Sequence, residues 1–183
     1  MFRYILDFEH PNDRADREHL LDRAFGPGRQ TKTSYRFRQG VDPLPELSRV
    51  ARCQGRLVGT IRYWPIVVED APALLLGPVA ADPDLKGRGI GRALIRETLS
   101  LAAEAGHGLV LLVGDQGYYG PFGFEPAAPS GIWMADEPER LMLKALLPGA
   151  LDGIAGEVLP WNQLALGESQ ARVAGQQLRE AAE

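Results

Sequence analysis

The chain has 183 residues, 45% of them hydrophobic, and a formal charge of −4. That size and apolar content fit one domain with a substantial core, and the negative balance argues against general nucleic-acid binding. Cys53 is the single cysteine and the three histidines lack ligand spacing, which excludes an internal disulfide and leaves no expected metal site. No basic-then-apolar N-terminal segment and no apolar run near the roughly 18 residues of a membrane span are present, so a soluble cytoplasmic protein with no membrane partner is expected.

In chain order, Phe2 to Phe8 alternates weakly and predicts a strand. Asn12-Asp13 can cap a helix carrying Leu20, Leu21, Ala24 and Phe25, which Gly26-Pro27-Gly28 ends. Arg29, Lys32, Arg36 and Arg38 form a local basic stretch, read as a solvated loop. After a proline-broken loop at Val41 to Pro45, Leu47 to Cys53 and Leu57 to Val68 read as two strands joined at Gln54-Gly55. The continuous apolar run Leu74 to Ala80 suits a strand buried on both faces, ended by Ala81-Asp82-Pro83.

Between this strand and the next helix lies Lys86-Gly87-Arg88-Gly89-Ile90-Gly91. Three glycines in five residues let backbone N–H donors converge on an anion, and Arg88 and Arg92 add charge. The helix that follows is marked by Ile90, Leu94, Leu101 and Ala105 and stopped by Gly106-His107-Gly108; its free N-terminal N–H groups favour a phosphate. The loop is not a Walker A sequence, because no Gly-Lys-Ser/Thr follows at the required spacing. It is not a dinucleotide fingerprint either, because the third glycine position holds Arg92 or Leu94. Leu109 to Val113 is a second buried strand, so the unit is βαβ with the loop at a strand's carboxyl end, where open α/β sheets bind ligands. A flexible turn before a surface helix is the plain alternative.

Gly114-Asp115-Gln116-Gly117-Tyr118-Tyr119-Gly120-Pro121-Phe122-Gly123-Phe124 reads as a short helical turn with two tyrosines, then a strand opening at Phe124. Phe122 and Phe124 are expected in the core. Ile132 to Ala135 and Leu141 to Leu147 read as closing strands. Beyond Leu151, Trp161, Leu164 and Leu166 suggest an anchor, and Ala171, Ala174 and Leu178 a short terminal helix. Such a helix would pack on the core, cover a cleft or support a homodimer; a partly flexible tail is the alternative.

The two motifs, in this order and spacing, resemble the GCN5-related N-acetyltransferases, above all bacterial members whose second motif reads Gly-Asp-x-x-Tyr-Tyr-x-x-Phe-Gly-Phe. The family's cofactor loop, Gln/Arg-x-x-Gly-x-Gly/Ala, is matched with Lys86 in place of Gln or Arg, which keeps the charge and loses the planar side chain. The resemblance implies an α/β (α+β) fold: a mixed, mostly antiparallel sheet of six to seven strands, a splayed parallel pair and flanking helices. It implies one domain over residues 1–150 and an extension over 151–183. The activity it implies is transfer of an acetyl group from acetyl-CoA to a primary amine by direct attack in a ternary complex. The acceptor would be a small-molecule amine or a peptide or protein amine, and the basic segment after the first helix would form part of its wall, which admits an acidic acceptor.

By the same resemblance, Val79, Ala80, Ala81, Lys86, Gly87, Arg88, Gly89, Ile90, Gly91, Arg92 and Tyr118 bind acetyl-CoA. The strand before the loop would bulge and offer the amides of Val79 and Ala81, and Tyr119, five residues before Phe124, would be the general acid, with Tyr118, one residue off that spacing, as the alternative. Asp42, Glu46, Glu69, Asp70 and Glu125 are the candidate bases. A non-catalytic acyl-CoA sensor is the competing reading; it would need the loop but not Tyr119.

Overall fold

The computed structural model describes residues 2–31 and 33–162. Along the chain these form β1 (Ile5–Phe8), α1 (Arg14–Phe25), β2 (Arg49–Cys53), β3 (Arg56–Val68), β4 (Ala71–Ala81), α2 (Ile90–Glu104), β5 (Leu109–Val113), α3 (Gln116–Tyr119), β6 (Glu125–Pro126), β7 (Ile132–Trp133), β8 (Leu141–Ala145) and β9 (Gly156–Pro160). The main run of the sheet is β1-β2-β3-β4-β5-β8-β6, antiparallel except for the parallel pair β4 and β5; off it, β9 joins β3 antiparallel and β7 parallel. This is the mixed, mostly antiparallel α/β sheet that the motifs imply.

Alternation along the strands divides the core between two faces. Leu74, Leu76, Val110 and Leu112 point to one side, where they meet Ile90, Leu94, Ile95 and Leu99 of α2. Ala73, Leu75, Leu109 and Leu111 point to the other, against Phe37, Trp64, Ile132 and Met134. On that second side Leu20 and Leu21 of α1 close over Val50, Leu57 and Ala80. The Phe122 and Phe124 rings are buried with the α2 side, as expected of them.

One close approach fixes where α2 begins. Gly59 of β3 lies under the helix start, and a Cβ there would come within 2.5 Å of Ile90 Cγ2 and 3.1 Å of both Ala51 Cβ and Leu94 Cδ1. Only a residue without a side chain lets the first turn of α2 sit on the sheet, so Gly59 sets the height of the loop that precedes it.

Several elements differ from the sequence expectation, each for a local reason. β1 starts at Ile5, with Phe2 and Tyr4 packing as a ring pair at 5.8 Å outside the ladder. Leu47 belongs to a 3₁₀ turn started by Pro45, which delays β2 to Arg49. The strand after Phe124 is only two residues long, because Pro126 cannot donate to a ladder. β9 lies in the segment read as an extension, yet it pairs with Ile66, Val67 and Val68 of β3 and with β7, so nine strands occur among the described residues instead of six or seven. Lys32, Leu164, Leu166 and the terminal helix over Ala171, Ala174 and Leu178 lie outside the described residues.

Asp13 precedes α1 but does not cap it with its side chain. Its Oδ2 accepts the His10 N–H and an Arg52 N–H, each at 2.7 Å, tying the start of the helix to β2. Burial pushes this carboxyl up, but the Arg52 hydrogen bond and the His10 amide outweigh it and hold it below its ordinary value.

Two outcomes follow from this packing. Gly59→Ala should lower stability by about 1–3 kcal/mol through overpacking, read as a fall in Tm. For Asp13, the lowered folded value means its contribution is present above the ordinary carboxylate range, near pH 4, and is lost as pH falls through it. Asp13→Asn should therefore destabilise at pH 7, with the gap to wild type in urea titrations closing as pH falls below the ordinary carboxylate value.

Candidate active site

The site begins where two parallel strands part. β4 and β5 are paired only at Leu74 with Val110 and Leu75 with Leu111, while β4 continues to Ala81. Just past that point Gly77 and Pro78 lie opposite the single residue Arg62 of β3, since Ile61 pairs with Val79 and Tyr63 with Leu76. This is a β-bulge, which bends the strand and resets which groups face outward. The Asp82 N–H donates to the Val58 carbonyl at 2.9 Å and Ala80 lies opposite Thr60. By alternation the N–H groups of Val79 and Ala81 point away from β3, into the opening left by β5.

The glycine loop closes the far end of this opening. Gly87 and Gly89 adopt φ of 82° and 78°, and Gly89 is the N-cap of α2 without any capping side chain. The turn before the loop is pinned from two elements: buried Asp82 pairs with Arg23 of α1 at 3.1 Å and with Arg56 of β3 at 3.2 Å. Val79, Ala80, Ala81, Lys86, Gly87, Gly89, Ile90, Gly91, Arg92 and Tyr118 line one groove of ≈ 760 Å³. Arg88 is the exception among the expected cofactor residues. Its guanidinium lies over the Phe2 ring, 5.6 Å from the centroid, and does not line the groove.

The tyrosine motif folds against this groove. The Asp115 side chain accepts the Tyr118 N–H at 3.1 Å and so starts the four-residue α3. Consecutive placement on one turn sends the two phenols different ways. The Tyr118 hydroxyl reaches α2, 2.9 Å from where a Gly91 Cβ would stand. Tyr119 packs edge-on against Tyr118 at 4.9 Å and Phe124 at 6.0 Å and lines a cavity of ≈ 310 Å³ at the strand split, with Leu75 to Val79 on the opposite wall. Burial, with a smaller contribution from Tyr118, pushes the Tyr119 phenol up to about 12, against a lowering by Arg140.

A third cavity, ≈ 950 Å³, adjoins the split on the α1 side and shares Arg29, Tyr35, Arg38 and Pro78 with it. Its wall is a charge network. Glu9 holds both Arg17 and Arg62, and Arg29 reaches Glu18, Asp22 at 2.8 Å and the Tyr35 hydroxyl. The basic stretch after α1 is thus no solvated loop: Arg29 is buried, and Arg38 stacks on Tyr35 at 4.4 Å and Trp64 at 5.7 Å. The aromatic residues interleaved at Tyr35 and Phe37 were the signal in the sequence for this burial. Glu9, Arg62 and Trp64 carried no such signal. Of the five candidate bases, only Asp42 lines this cavity. Glu69 and Asp70 sit at the opposite end of the β3–β4 hairpin, about 23 Å along the strand from Gly77.

A mostly antiparallel sheet that opens at one parallel pair, above a glycine loop capping a helix, defines an acyl-CoA-dependent transferase architecture. The chain belongs to the GNAT acetyltransferase family: the acetyltransferase (GNAT) domain model matches residues 12–127. It is 30% identical over 160 residues to YhbS of Escherichia coli K12, an uncharacterised N-acetyltransferase, covering 84% of this chain and 94% of the relative. The crystal structure of E. coli YhbS in complex with CoA matches with a TM-score of 0.76 at 27% identity, covering 86% of this chain and 89% of that one. A GNAT family acetyltransferase from Brucella melitensis in complex with acetyl-CoA matches with a TM-score of 0.65 at 28% identity, covering 87% and 96%. The protein is an acetyl-CoA-dependent N-acetyltransferase.

Gly114 is the residue on which the Tyr119 ring rests. A Cβ there would meet Tyr119 Cε2 at 2.3 Å and Leu112 Cδ1 at 2.7 Å. Gly114→Ala should displace the Tyr119 ring, lowering Tm and cutting acetyl transfer more steeply than CoA affinity, measured by calorimetry alongside turnover.

Proposed function

We propose that the groove from the glycine loop to the strand split binds acetyl-CoA, and that an amine entering from the α1 side attacks the thioester there in a ternary complex. The observation that carries this reading is continuity. The loop groove shares Val79 and Tyr118 with the split cavity, and the split cavity shares Arg38 and Pro78 with the α1-side cavity. Two substrates entering from opposite ends would meet beside Tyr119.

In this assignment the amides of Gly87 to Gly91 and the start of α2 hold the diphosphate, with Lys86 and Arg92 adding charge. The outward N–H groups of Val79 and Ala81 pair with the pantetheine arm and with the thioester carbonyl. A donor aimed at the oxygen as negative charge develops there contributes about 3 kcal/mol. The amine nitrogen bonds to the carbonyl carbon, the C–S bond breaks, and Tyr119 gives its proton to the departing sulfur while the amine's proton leaves through water. Tyr118, with its hydroxyl at α2, contacts the cofactor at the mouth of the loop.

The raised Tyr119 value fits a donor. An acid whose folded value lies above its ordinary one keeps its proton as pH rises through 10, so Tyr119 imposes no alkaline decline on turnover between about pH 7 and 10. The stability that goes with this shift is complete below about pH 10 and is lost as pH climbs toward 12.

Acetyl-CoA should raise Tm where ATP and NAD do not. Tyr119→Phe should lower kcat for thiol release about a hundredfold while leaving the Kd for acetyl-CoA within about twofold. CoA binding combined with unchanged turnover in Tyr119→Phe would remove Tyr119 from the mechanism. CoA binding with no thiol release from a broad amine panel would favour the non-catalytic sensor.

A further inference from the structure

Besides the exposed Arg14, four buried or half-buried arginines line the α1-side cavity, and three of these four are neutralised. Arg17 pairs with Glu9 and Glu18, Arg29 with Glu18 and Asp22, and Arg62 with Glu9. Arg38 is different. Among the described residues it has no ion pair, its Nε is buried without a hydrogen-bond partner, and its planar head is held against the Tyr35 and Trp64 rings. Trp64 is itself fixed by an Nε1–H bond to the Gly77 carbonyl at 2.7 Å.

This arrangement aims the cation at one place. Arg38 Nη2 stands 3.5 Å from where a Gly77 Cβ would be, beside the bulge at which β4 leaves β5, and Arg38 lines both the split cavity and the α1-side cavity. Gly77 is at the opposite end of the free strand edge from the glycine loop, about 17 Å from Asp82 along the strand, so Arg38 is not placed to clamp the diphosphate. A desolvated guanidinium without a counter-ion is costly, and a planar fork of N–H donors matches a carboxylate in two-point contact.

We infer that the acceptor is a small amino carboxylate whose anion docks on Arg38, with its amine turned toward the strand split. This deepens the acetyl-transfer reading and rests on it. Burial, with Arg29 and Arg62 acting in the same direction, pulls the Arg38 guanidinium down to about 10 despite the Tyr35 phenol, and a bound carboxylate would reverse that pull. The split cavity, ≈ 310 Å³, has room for a compact acceptor, and the one carboxylate lining it, Asp115, is engaged at the start of α3.

The test uses product analogues, so that it does not depend on finding the turnover substrate. CoA-saturated protein is titrated calorimetrically with matched pairs of N-acetyl amino acids and their amides, and with acetyl-capped dipeptides bearing free or amidated C-termini. The inference expects at least one free N-acetyl amino acid to bind tenfold or more tightly than its amide and than the dipeptides. Arg38→Gln should reduce that ligand to the level of its amide, and Arg38→Lys should leave an intermediate preference, with the Kd for CoA within about twofold in both. Absence of any carboxylate preference in the wild type, or a preference that survives Arg38→Gln, would overturn it. A preference confined to the dipeptides would replace the small acceptor by a peptide terminus. Failure of the wild type to bind CoA would instead overturn the acetyl-transfer reading beneath it.

Discussion

The architecture turns on the parting of β4 from β5. Parallel strands normally satisfy each other's backbone groups along their shared length, and here they do so at only two residue pairs before β4 runs on alone. An unpaired strand edge is costly when buried, so the fold lines it with space instead of protein. The cavity at the split, the outward amides of Val79 and Ala81, and the exposure of the glycine loop all follow from that one departure.

Close packings around glycine seat the elements on either side of the opening. Ile90 sits over Gly59, which seats α2 and with it the loop; the Tyr119 ring sits over Gly114, which seats the phenol beside the split. The bulge at Gly77 and Pro78 brings a carbonyl to Trp64, and Trp64 in turn backs Arg38. The sides proposed for the cofactor and for the acceptor would therefore be built from neighbouring residues of one strand, β4, with the bulge as the dividing point.

Much of this was legible in the sequence because it is local. The run Leu74 to Ala80, the glycine loop, the stripe of α2 and the tyrosine motif are contiguous, and their periodicities and turn residues indicate strand, loop and helix directly. The structure lines one groove with Val79 to Ala81, the glycine loop and Tyr118, and leaves out Arg88, since an arginine side chain in a loop goes wherever a ring such as Phe2 offers a face. What was not legible depends on long-range pairing. Nothing in Gly156 to Pro160 announces a strand until Ile66 to Val68 are known to have an open edge, and nothing in Glu9 shows that Arg17 and Arg62 will share it. The burial of Arg38 is likewise a property of Tyr35 and Trp64 meeting, twenty-nine positions apart in the chain.

β9 carries a consequence for how the chain is made. During synthesis β3 and β4 leave the ribosome long before residues 156–160 do, and until then the ladder positions at Ile66, Val67 and Val68 have no partner on that side. For that interval the nascent hairpin presents an apolar strand margin of the kind through which separate polypeptides join into aggregates. Among the described residues, the last strand to emerge is thus the one that covers this margin of β3, so its arrival, not that of the cofactor motifs, ends that stretch of exposure.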